Sequence, residues 1–96
     1  MEVQIVALKG SATPSAHEAA VTYDIIADVD GKRRTFTASV VLTQIDEYVM
    51  QSVSFRDATY ADVFRRHQTI LTKMGHVVLA FYNNADLVLP IQLDES

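Results

Sequence analysis

The chain has 96 residues, of which 49% are hydrophobic and 21% charged. That composition suits a single domain with a packed core and excludes global disorder. A formal net charge of −4 argues against a general nucleic-acid binder, whose phosphate contacts need a basic field. With no cysteine there is no disulfide framework, no thiolate nucleophile and no cysteine-based zinc site. No apolar run approaches the ~18–20 residues of a membrane span, and Met1-Glu2-Val3 lacks the basic and apolar regions of a signal peptide. The expectation is a cytoplasmic protein of one domain, residues 1–96, with no membrane partner.

Val3 to Leu8 reads as a strand with two largely apolar faces (Val3, Ile5 and Ala7 against Val6 and Leu8), which predicts a covered, central position. Lys9 to Glu18 contains Gly10, Ser11, Thr13, Pro14 and Ser15, the composition of a loop. Long surface loops can carry ligand contacts, although a plain connector explains this one.

Ala19 to Leu42 is a β-hairpin in one register. Asp30-Gly31 supplies the two positive-φ positions of a type I′ turn. That loop puts Val29 opposite Lys32. Ile25 then faces Phe36, Tyr23 faces Ala38 and Val21 faces Val40 on an apolar side. Asp28 faces Arg33, Asp24 faces Thr37 and Thr22 faces Ser39 on a polar side.

Thr43 to Phe55 satisfies two patterns. A helix capped by Thr43 would carry Asp46 and Glu47 in its first turn and align Ile45, Tyr48, Val49 and Ser52. A strand would use the β-formers of Tyr48-Val49-Met50 and Val53-Ser54-Phe55. No Gly, Pro or Asn marks a turn between Leu42 and Ile45, which weakens the strand reading. The segment is left undecided.

Asp57 to Met74 is the main helix. Tyr60, Val63, Phe64, His67, Ile70, Leu71 and Met74 fall within an arc of roughly 120° at about 100° per residue. Asp62, Arg66, Thr69 and Lys73 take the opposite side. Asp57 or Thr59 caps the start, and Gly75 is placed to end the helix in a left-handed conformation. Beyond it, Val77 and Leu79 fall outside the helical stripe, so His76 to Tyr82 reads as a strand. It turns at Asn83-Asn84-Ala85-Asp86 and returns over Leu87 to Leu93, with Pro90 at an edge. The fold class is therefore α+β: a mostly antiparallel sheet of about five strands with one main amphipathic helix (57–74) on one face.

No phosphate-loop, dinucleotide, metalloprotease, esterase-elbow or EF-hand pattern occurs. Nothing implies a cofactor or a metal, and His17, His67 and His76 lack metal-ligand spacing. The balance leans away from an enzyme. His67 lies inside the apolar helical arc; a core imidazole bonded to a backbone carbonyl or tyrosine explains it. A ligand pocket of His67, Tyr60 and Tyr23 between helix and sheet is the functional alternative. Asp57 and Asp62 are explained by capping and ion pairing without chemistry. Lys32, Arg33 and Arg34 form a basic hairpin tip able to meet an anion or an acidic partner, and with Arg65 and Arg66 they support a weaker nucleic-acid reading. Polar residues are nevertheless ordinary at hairpin tips. The C-terminal hairpin is apolar on both faces, and one helix covers one face of a small sheet. Val77, Leu79, Phe81 and Val88 are thus the expected contacts of a homo-oligomer or protein partner. The leading expectation is a non-catalytic protein-interaction, regulatory or accessory module, homodimeric.

Overall fold

The computed structural model describes residues 1–10, 20–55 and 59–93. In chain order these form β1 (Val3–Gly10), β2 (Ala20–Val29), β3 (Lys32–Ile45), β4 (Tyr48–Phe55), α1 (Thr59–Val63), α2 (Gln68–Tyr82) and β5 (Ile91–Gln92). The strands make one antiparallel sheet in the order β4-β3-β2-β1-β5. The architecture is α+β, with α2 against the sheet face over β3 and β4.

The β2–β3 hairpin has the register its sequence implies. Asp30 and Gly31 both take positive φ (48° and 83°), and ten consecutive pairs run from Val29↔Lys32 to Ala20↔Val41. Tyr23, Ile25, Ala27 and Val29 on β2 share a buried face with Phe36, Ala38 and Val40 on β3. β1 adds Val3 and Ile5, and Leu93 follows β5 into the same core. The other face carries the polar pairs, including Thr22 Oγ1 and Ser39 Oγ at 3.1 Å. The turn also anchors β1: the Glu2 N–H donates to Asp30 Oδ1 and the Asp30 N–H to the Glu2 carbonyl, both at 2.8 Å.

Residues 43–55 are strand, not helix. β3 runs on to Ile45, and β4 returns through eight unbroken pairs to Ala38↔Phe55. Asp46 makes the turn with φ 53°. A short side chain that hydrogen-bonds locally lets aspartate visit the left-handed region without glycine.

The helical region departs from the sequence pattern. The proposed start at Asp57 lies outside the described residues, as do the loop residues 11–18 with His17, and the acidic tail. The single stretch 57–74 is two helices, because the chain breaks over Phe64 to His67. Phe64 is buried there against Phe36, with ring centroids 5.2 Å apart. The His67 N–H donates to the Phe64 carbonyl in a turn, and the His67 carbonyl accepts the first bonds of α2 from Ile70 and Leu71.

Gly75 does not end the helix, and the strand over His76–Tyr82 is overturned, since α2 continues to Tyr82. Ile70, Met74 and Val78 recur every four residues and are fully buried. Val77 and Leu79 pack partly against the core, so the apolar face is wider than one narrow stripe. The stop is Asn84, in the left-handed region at φ 60°. The Ala85 N–H donates to the Ala80 carbonyl and the Asn84 N–H to the Phe81 carbonyl, a complete Schellman closure. The C-terminal hairpin does not form: only Ile91 and Gln92 are strand, and they pair with β1. Pro90, joined to Leu89 by a cis bond, immediately precedes that pairing.

Gly75 supplies a test. It sits inside α2, and a Cβ there would meet Val53 Cβ at 3.9 Å, ordinary contact. Glycine within a helix costs roughly 0.5–1 kcal/mol relative to alanine. Gly75→Ala is therefore expected to raise unfolding free energy by about that amount in urea titration. A loss of stability would contradict a mid-helix position.

Candidate interaction surface

Beyond the core the β3–β4 hairpin continues as an arm. Every residue from Thr43 to Ser52 is exposed, and the molecule is elongated, with extents of 42 × 26 × 23 Å. Alternation sorts the arm's side chains. Leu42, Gln44, Val49 and Gln51 share the helix side with Val40 and Val53, while Thr43, Ile45, Tyr48 and Met50 lie on the opposite side. Large apolar groups thus face water on both sides: Ile45 is 49% exposed, Tyr48 76%, Val49 62% and Met50 49%. Isolated exposed apolar residues are ordinary; four gathered at one hairpin end are a surface feature.

The arm is braced at its base. The Asn83 side-chain amide donates to Gln51 Oε1 at 3.0 Å and accepts from Gln51 Nε2 at 3.2 Å. Asn83 Nδ2 also donates to the Leu79 carbonyl at 2.8 Å. The last turn of α2 is thereby tied to the middle of β4.

The expected partner contacts at the C-terminus are redistributed by the helical course of 76–82. Val77 and Leu79 are half-buried against the core. Phe81 and Val88 remain exposed, Val88 at 84%. Phe81 also meets the Tyr23 ring edge-on at 5.5 Å. The arm itself was legible only as a run of β-formers, because its exposure depends on where the helices stop covering the sheet.

Each member of the proposed pocket trio has its own neighbours. Tyr23 is buried beside Phe81 and Gly10; burial, then the nearby Tyr82 hydroxyl, raises its pKa above the ordinary phenol value. Tyr60 stacks on Phe55 with centroids 5.2 Å apart. His67 caps α2 through its backbone and lines an open cleft with Asp62, Val63, Arg65 and Arg66. Neither tyrosine lines that cleft.

The basic tip divides between the two sheet faces. Lys32 and Arg34 line an open cleft of about 500 Å³ with Met1, Val29, Asp30, Asp62 and Val63. Two carboxylates beside the two cations leave that cleft electrically mixed, a poor match for a polyanion. Arg33 points to the polar face, where its Nε and Nη2 donate to Asp28 Oδ1 and Oδ2 at 3.0 and 3.3 Å. Among the described residues no group of three or more His, Cys, Asp or Glu could hold a metal ion, and no helix is long and apolar enough to cross a membrane.

No protein-family model matches the chain, and no curated protein matches its sequence.

The Asp28–Arg33 pair has a pH signature. Hydrogen bonding from Arg33, reinforced by its charge and opposed by partial desolvation, holds the Asp28 carboxyl below the usual carboxylate range. Such a group adds stability above its unfolded pKa, about 3.9, and loses it as pH falls through the lower folded value. Asp28→Asn is expected to lower the urea midpoint slightly at pH 7, less so in high salt because the pair is exposed. Once the pH lies below that folded value, the variant and the parent are expected to converge. A difference that persists there would assign the effect to something other than the carboxylate charge.

Proposed function

We propose that this protein is a non-catalytic protein-interaction module that works as a homodimer, with an accessory or regulatory role in the cytoplasm. The observation that carries the reading is the exposed apolar arm of Ile45, Tyr48, Val49 and Met50. Keeping large apolar side chains in water forgoes roughly 1.5–3 kcal/mol per side chain that burial would return. A partner surface recovers that free energy. Phe81, Val88 and Leu89 add apolar area elsewhere.

A ligand-binding or enzymatic reading centred on His67 draws less support. His67 lines an open cleft with two arginines, and neither Tyr23 nor Tyr60 lines it. Nucleic-acid contact through the basic tip is disfavoured by the charge balance in the cleft and by the net charge of −4.

Size exclusion with light scattering at ~10–100 µM tests the dimer. The expected mass is twice the 10.7 kDa of the chain. Tyr48→Ser/Val49→Ser, with unchanged circular dichroism, is expected to raise the dissociation constant by about tenfold or more, since two partly desolvated apolar side chains are lost. A monomer throughout that range would overturn the homodimer.

A further inference from the structure

Both borders of the sheet are edges, but only one of them is guarded. At the β5 border the outer strand has two residues and follows Pro90, which has no N–H to offer. The neighbouring β1 is bulged between Ile5 and Ala7. Short strands, prolines and bulges are the devices by which sheets stop unwanted pairing. At the other border, β4 has eight residues in unbroken register with β3. Tyr48-Val49-Met50-Gln51-Ser52-Val53-Ser54-Phe55 contains no charge, no proline and no glycine. Among the described residues no strand pairs with its outer side, and the outward N–H and C=O groups form a template for another strand.

We infer that β4 pairs antiparallel with β4 of a second copy about a two-fold axis at Gln51, fusing the two sheets into one; this deepens the homodimer reading above and rests on it. A neutral strand meets its own copy without like-charge contact along its length. The only charges on the arm are Asp46 and Glu47 in its turn. Parallel pairing would set the two acidic turns side by side. Antiparallel pairing places them roughly 30 Å apart at about 3.3 Å per residue, several Debye lengths at physiological salt. A continuous sheet must keep each face on one side, so paired residues must share a face, and the axis therefore passes through a residue. At Gln51, Val49 meets Val53 on the helix side, and Met50 meets Ser52 and Tyr48 meets Ser54 on the other. A closed two-fold contact of this kind uses both free edges and leaves only the guarded borders exposed.

The test uses the full chain. Met50→Lys/Ser52→Lys places lysines opposite one another across the axis, on exposed positions of the sheet side away from the helix. Sedimentation equilibrium is expected to show a dissociation constant raised by at least about tenfold, with the circular dichroism spectrum unchanged. The lack of native cysteine permits a single spin label at Glu47→Cys, and the dimer is expected to give a label separation of roughly 25–40 Å. A parent dimer that the lysines leave intact, or labels closer than about 20 Å, would overturn the edge pairing while leaving the homodimer standing. A monomeric parent would overturn both. A monomer that takes up a synthetic uncharged strand peptide on β4 would assign the edge to a foreign strand.

Discussion

The register of the β2–β3 hairpin is the constraint on which the rest of the molecule depends. Side chains alternate across a strand, so a one-residue slip of β2 would carry Tyr23, Ile25, Ala27 and Val29 from the core to water. It would also press Asp24 and Asp28 into the core side. Each large apolar residue so exposed forfeits roughly 1.5–3 kcal/mol, and the buried charges would add a desolvation penalty. The turn at Asp30-Gly31 supplies the required backbone at both positions. The Asp28–Arg33 and Thr22–Ser39 contacts then satisfy the opposite face. The same turn holds Glu2 and so sets where β1 begins.

With the sheet in place, the helices answer to its surface rather than to their own propensities. Phe64 packs on Phe36 at the break between α1 and α2. Ile70, Met74 and Val78 run along the core side of α2. The helix continues through Gly75 because Val78 still has apolar surface to cover, and it stops where Asn84 can close its last carbonyls. The Asn83–Gln51 amide pair then joins that end to β4, tying the helix terminus to the base of the arm.

Outward from that joint no described residue buries the arm, which is where the fold meets the proposed function. A hairpin that only needed to complete a monomer could end near Leu42 and Gln51, where core contact ends. Extending it to Ile45 and Tyr48 exposes apolar surface and lengthens an unguarded edge. The proposed self-pairing occupies that edge and sets Val49 beside Val53 of the second copy. The β5 border, shielded by its shortness and by Pro90, needs no such partner.

By itself the sequence determined what local pattern and turn chemistry control. Period-2 alternation around Asp-Gly left one register for β2 and β3, and every pair across that turn is as the alternation requires. The α+β class, the antiparallel sheet and the apolar helical face were legible for the same reason. Three features were decided only in the tertiary structure. Residues 43–55 suit helix and strand almost equally by local preference, and pairing with β3 supplied the backbone hydrogen bonds that settled the choice, with aspartate standing where glycine was sought. Whether Gly75 ends a helix or lies within one depends on the apolar sheet that Val78 meets next, which no local signal carries. Exposure of the arm depends on how far the helices reach across the sheet. The surface of greatest functional interest is therefore the one least visible in the residues alone.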